Sequence, residues 1–240
     1  MFDAKKLLDQ FLGPQMGGKG GGMLGNAGGM LGNAGQLGDF AKSNPWKTAG
    51  IAAALLGTKT GRKLAGNVAS VGGIAAIAGL GYLAYKNYQS GQAPQTLPKS
   101  EPEILPPPEN SPFSLQSPAL TNDFALTLVR AMIAAAKADG HIDADERANI
   151  MDKVKAVDLG SEAEAFIANE LANPVDIDEL VAAARTEEQK VELYTATRIT
   201  IEPDTRAERG YLDLLAGRLG LPDALIDHID ATVSAAKANP

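Results

Sequence analysis

Residues 65–85 carry no charged side chain. This run of 21 residues constrains the chain more than any other feature, because so long an apolar stretch must leave water somewhere. A helix rises ~1.5 Å per residue, so this one would cross a hydrocarbon layer of roughly 30 Å. Lys59, Arg62 and Lys63 precede the run and Lys86 follows it. Tyr82, Tyr85 and Tyr88 gather at one end, where an interfacial aromatic belt belongs. The pattern predicts a single transmembrane helix over residues 64–86. The competing reading is a buried Ala/Gly-rich helix inside a protein core. A cleavable signal peptide does not fit a run that starts so far into the chain.

Two expectations follow from a span. Ala65, Ala69, Gly72, Ala76 and Gly79 share one helix face, and such a face allows self-association between membrane helices. Lys42, Lys47, Lys59, Arg62 and Lys63 lie before the span, against Lys86 and Lys99 after it. That bias puts the N-terminal side in the cytoplasm and the C-terminal side outside.

Charge is divided as unevenly as hydropathy. Residues 1–100 have a net charge of +7 and residues 101–240 of −14. The acidic half argues against a nucleic-acid partner, which calls for a basic patch. The chain has no cysteine, so disulfides, thiolate metal sites and cysteine nucleophiles are excluded.

Residues 1–63 read as a basic, Gly-rich, largely disordered segment. Residues 2–12 place Phe2, Leu7, Leu8, Phe11 and Leu12 on one side of a short amphipathic helix, which a membrane surface or a partner would have to support. Gly-Gly-Met-Leu-Gly-Asn-Ala occurs at 21–27 and again at 28–34. Three glycines in seven cost about 1 kcal/mol each inside a helix, so this repeat is not a coiled coil. Residues 87–118 read as a Pro-rich linker, with eight prolines from Pro94 to Pro118. Proline at this density favours extended polyproline II, which would hold the next domain away from the membrane.

Residues 119–240 read as an all-α domain of seven helices. Asp143-Ala-Asp-Glu146, Ser161-Glu-Ala-Glu164, Asp176-Ile-Asp-Glu179, Thr186-Glu-Glu-Gln189 and Thr205-Arg-Ala-Glu208 each match an N-cap with Glu or Gln three residues later. Further helices begin near Thr121 and at Pro222, and breaks fall at Asp139-Gly140, Gly160, Asn173-Pro174 and Gly220.

The candidate site is Asp139-Gly140-His141-Ile142-Asp143-Ala144-Asp145-Glu146. A helix stops, a tight turn follows and an acidic helix begins. Its carboxylates suit a hard divalent cation such as Ca²⁺, Mg²⁺ or Mn²⁺, and His141 could add a nitrogen. The loop is not an EF-hand, since Ala144 stands where the turn glycine belongs and Ile150 where the bidentate Glu belongs. A second acidic turn, Glu202-Pro-Asp204-Thr-Arg-Ala-Glu208, could share an ion with the first. Against this, Glu146 and Glu208 occupy the third position of capping boxes, where a carboxylate serves the helix alone.

These turns, with the Leu-Ala-x-x-Leu-Gly-Leu helix that follows, resemble the TerB-like domain of tellurite-resistance proteins. The whole chain resembles bacterial inner-membrane proteins of unknown function that carry such a domain. The resemblance implies an all-helical domain whose metal ligands would be Asp139, Asp143 and Glu146 from the first turn and Asp204 and Glu208 from the second. The second turn lacks an Asp-Gly pair, which departs from a symmetric site.

No nucleophile elbow, His-Glu-x-x-His or Rossmann glycine pattern occurs, so no enzyme is expected. The expected function is a single-pass inner-membrane protein whose helical module senses or binds a protein partner, modulated by a divalent cation, in an envelope or metal-stress setting. The stress setting comes from the resemblance alone. The alternatives are a metal-dependent envelope hydrolase using the acidic cluster, and a structural membrane oligomer with a spacer domain. The side of the membrane on which the domain sits stays open, since TerB proteins are thought of as cytoplasmic.

Overall fold

The computed structural model describes Lys5 and residues 73–94, 106–138, 142, 147–148, 150–152, 155 and 161–238. All regular structure among them is α-helical. The helices are α1 (Gly73–Gln89), α2 (Asn122–Ala136), α3 (Ser161–Ala172), α4 (Ile177–Ala183), α5 (Glu187–Thr200), α6 (Arg206–Leu219) and α7 (Asp223–Ala238). Residues 147–148, 150–152 and 155 are also helical. The basic Gly-rich segment expected over residues 1–63 lies, Lys5 apart, outside the described residues.

The helices start where capping chemistry says they should. Thr121, Asp176, Thr186 and Thr205 each accept a backbone N–H from the third residue of the helix they open. Thr186 with Gln189, and Thr205 with Glu208, form complete reciprocal capping boxes. Each cap satisfies N–H groups that the helix itself cannot, and is worth ~1 kcal/mol. α6 stops at Gly220, whose φ of 68° suits a residue without a Cβ.

The transmembrane helix expected over residues 64–86 is not supported, and its residues 64–72 lie outside the described residues. No helix among the described residues is long and apolar enough to cross a membrane. The described part of the run, α1, packs against α5 and α7. Ile74, Ile77 and Leu80 are buried in the same cluster as Leu193, Ile199, Ile229 and Val233. Each such side chain removed from water contributes about 1.5–3 kcal/mol. Of the small residues on the expected face, Ala76 is fully buried, and Ala65, Ala69 and Gly72 lie outside the described residues. Gly81 faces α5, where a Cβ would stand 3.4 Å from Val191 Cγ1 and 3.5 Å from Thr195 Oγ1, at ordinary contact distance. The tyrosines form no belt either. Tyr82 and Tyr85 stack on Phe113, with ring centres 6.0 and 5.5 Å away, and Tyr88 packs edge-on to His228 at 6.2 Å.

The second half of the expected linker belongs to this core. Phe113 and Leu120 are buried hydrophobics, and Pro107 and Ser114 are buried beside them. Serine recurs every third residue, and each one makes a turn. The N–H groups of Ser114, Ser117 and Leu120 donate to the carbonyls of Ser111, Ser114 and Ser117 at 2.8–3.0 Å. The hydroxyls of the same three serines accept the N–H groups of Phe113, Gln116 and Ala119 at 3.0–3.3 Å. Serine competes for backbone groups in this way, so a Pro-rich stretch folds as a chain of turns rather than an extended spacer.

α5 occupies the centre, with every residue from 191 to 200 buried. It packs against α1, α2, α6 and α7, and α4 bridges α2 and α6.

Candidate functional site

α2, α3 and α4 meet around a small polar cavity of about 160 Å³, lined by Arg130, Lys137, Glu170, Asn173, Asp176 and Glu179 among others. Arg130 projects from the outer face of α2 and pairs with two carboxylates. Its Nε lies 2.9 Å from Glu170 Oε1 and its Nη1 2.7 Å from Glu179 Oε1. Its guanidinium also lies over the Phe166 ring, 5.6 Å from the centroid. Asp176 opens α4 by accepting the N–H of Glu179 at 3.0 Å.

Two cations that flank the first acidic turn in sequence bond to this corner. Lys137 ends α2 and donates to the carbonyls of Glu170 (3.2 Å) and Asn173. Arg147, at the far end of the turn, donates to the Leu171 carbonyl at 3.2 Å. Both cations therefore sit on the C-terminal end of α3, where carbonyls lack helical partners and the helix dipole is negative. Burial lowers the pKa of Lys137; Glu170 opposes the shift and Arg147 adds to it. Asp139, Asp143 and Glu146, with His141 and Asp145, lie outside the described residues. What is placed is Lys137 before these residues and Arg147 after them, both bonded to the end of α3.

The second turn is described, and the Glu208 carboxylate has structural work. Glu208 Oε2 accepts the Thr205 N–H at 2.8 Å and the Thr205 hydroxyl at 2.9 Å. Asp204 is exposed, and its carbonyl accepts Arg209 Nη1 at 2.9 Å. Carboxylate chemistry suits a hard cation, but one oxygen of Glu208 is already engaged in capping. Among the described residues no group of three His, Cys, Asp or Glu side chains is placed to hold a metal ion.

A buried ionic cluster escaped the sequence reading. Arg198 on α5 is 3% exposed. It donates to the Ile201 carbonyl and to Ser234 Oγ, both at 2.9 Å, and its Nε lies 3.2 Å from Asp230 Oδ1. That last contact is an ion pair, and Nε has no hydrogen-bond partner. Lys237 Nζ donates to the carbonyls of Arg198 and Ile201 and to Glu202 Oε2, at 3.0–3.2 Å. Burial first, and Arg198 second, bring the Lys237 ammonium down to about 8. Burial raises Asp230, and Arg198 opposes it. The cluster ties the end of α5 to α7, and its donors and acceptors are largely matched, as a buried ion group requires. Alternating charges scattered over α5 and α7 gave no spacing signal for it.

Over residues 41–233 the chain matches the profile of a family described as a protein of unknown function, DUF533. It is also similar to an uncharacterized protein in the 5′ region of ampR from Yersinia enterocolitica. The two are 30% identical over 106 residues, which cover 44% of this chain and 76% of that protein. No solved structure matches. The family falls within the TerB-like superfamily, in line with the acidic-turn resemblance. The chain belongs to the DUF533 family.

Proposed function

We propose that the chain is a helical interaction and sensing module without catalytic activity of its own. Its working surface is the corner of α2, α3 and α4 together with the acidic turn at 139–146. The observation that supports this is the anchoring of Lys137 and Arg147 on the carbonyl end of α3. Lys137 and Arg147, which flank the carboxylates of residues 139–146 in sequence, are both held on the end of α3, a setting suited to a cationic group of a partner protein or to a divalent cation. Asp139, Asp143 and Glu146 would carry that interaction, and the cation would set how firmly the turn is held. Asp204 and Glu208 contribute less, since Glu208 caps α6.

Calorimetric titration of the full chain with Ca²⁺, Mg²⁺, Mn²⁺ and Zn²⁺ tests the cation half of this reading. Saturable binding that Asp139→Ala abolishes supports it. Absence of heat, and of any rise in melting temperature with all four ions, removes the cation and leaves the partner. Turnover of a phosphate or acyl ester by the purified chain, lost in Asp139→Ala, contradicts the non-catalytic reading.

A further inference from the structure

The outer face of α6 is not uniformly polar. Leu214 is 51% exposed, the one large hydrophobic so placed among the described residues. Gly210 and Gly217, four residues before it and three after, lie on the same side of the helix. A Cβ at either glycine would meet nothing within 4 Å. Beside Leu214, where α6 meets the start of α4, an open groove of about 600 Å³ is lined by Pro174, Val175, Ile177 and Asp178 together with Leu214 and Arg218. A single exposed leucine is ordinary on a protein surface. This one stands at the edge of a groove with apolar walls, so the face holds a knob and a hole side by side.

The charges around the groove are of both signs, although residues 101–240 have a net charge of −14. Arg206 and Arg218 are exposed on α6. Asp176 and Asp178 are exposed at the start of α4, and Asp223 just beyond the end of α6. Arg218 pairs with Asp178 within the chain.

We propose that this face is where two copies of the chain meet, α6 against α6 across a two-fold axis, with each Leu214 seated in the groove of the other copy. A two-fold interface has to be complementary to itself, so knob and hole must lie on the same patch, as they do here. The two α6 helices then run antiparallel. Arg206 lies eight residues before Leu214, ~12 Å along the axis, and is carried towards the end of the other α6, where Asp178 and Asp223 lie. A face of mixed sign in an otherwise acidic domain suits a copy of itself. A nucleic acid would be repelled by the rest of the domain, and a strongly basic protein would be met here by arginines. The contact does not use the apolar run of residues 65–85, and it goes beyond the reading of the α2, α3 and α4 corner. One helix face and the start of another fall short of the roughly 800 Å² per partner of a standard interface, so the dimer should form only above micromolar concentration. Below that, Leu214 stays open to solvent.

Sedimentation velocity of the full chain, without lipid or detergent, between about 1 μM and about 500 μM tests this. The wild type is expected to pass from monomer to dimer as concentration rises. Leu214→Asp is expected to raise the dissociation constant at least about tenfold. Its melting temperature in dilute solution should match the wild type, since the side chain is exposed. Arg206→Glu reads the charge pairing, and a glutamate in the first turn of α6 suits the helix dipole, so the fold is kept. Its constant should rise about threefold or more. A monomer across the whole range, or a dimer whose constant is unchanged in either variant, overturns the proposal. Neither variant touches residues 139–146, so failure of the cation reading leaves this test standing.

Discussion

α1 and α5 lie against each other in the core and differ sharply in composition. α1 has one charged residue, Lys86, in seventeen. α5 begins Glu-Glu-Gln-Lys and carries Glu192 and Arg198 further along, yet residues 191–200 are buried throughout. By hydropathy, α1 looks like a helix for lipid and α5 like a helix for water, and both share one protein interior. An apolar run shows that a segment leaves water without showing where it goes. A polar helix can sit at the centre when its groups find partners. Thr197 and Thr200 donate back to the carbonyls of Leu193 and Ala196 at 2.9 Å, and Arg198 reaches Ser234 and Ile201. The Thr195 hydroxyl, which lies against Gly81 of α1, and Arg198 Nε are the exceptions on that helix.

The contrast can be broken most severely by removing α1. Residues 119–240 alone lack Ile74, Ile77 and Leu80, which together represent about 5–9 kcal/mol of burial, as much as a whole domain's stability. That fragment is expected to lose its cooperative thermal transition and to bind a hydrophobic dye, whereas residues 73–240 keep both the transition and a dry core. Within the intact chain, Leu80→Ala should cost about 2–5 kcal/mol in urea unfolding. Leu214→Ala, at a side chain 51% exposed, should stay within about 0.5 kcal/mol.

Glu192→Gln sharpens the comparison in the other direction. The folded-state pKa of Glu192 is raised, so the neutral acid is compatible with the fold at pH 4 and holding it un-ionised becomes costly as pH rises. At pH 7 the distance between 4.5 and about 8 corresponds to about 3 kcal/mol, which Glu192→Gln should largely recover. Near pH 4 the substitution should be close to neutral, so unfolding midpoints at the two pH values give the sign directly. Smallest of all, Thr205→Ala or Thr186→Ala removes one half of a capping box and should lower stability by ~1 kcal/mol, with no dependence on whether α1 is present.

The same contrast explains what could be read from the sequence. Helix starts at Thr121, Asp176, Thr186 and Thr205 were legible because an N-cap is local chemistry, settled within four residues. Gly220 as the end of α6 was legible for the same reason. The place of α1 was not, because Ala, Gly, Ile and Leu suit lipid and protein interior alike, and α5, which decides between them, lies a hundred residues away. The Pro-rich stretch misled by its prolines, whereas its serines at 111, 114 and 117 carried the turn pattern. At the candidate site, the capping role of Glu208 was written in Thr205-x-x-Glu208. Lys137 and Arg147 looked like ordinary flanking charges, since their partners are backbone carbonyls of α3 that no side-chain pattern reveals.

The chain contains no cysteine, so a single thiol can report directly on α1. Leu80→Cys and Leu214→Cys would be labelled with a maleimide in the purified full chain, without lipid or detergent, and compared with the unfolded protein. The account predicts that the thiol at 80 reacts only as fast as the chain opens, orders of magnitude slower than the thiol at 214. Equal rates at the two positions, or protection at 80 that appears only when detergent or lipid is added, would contradict the placement of α1 in the protein core.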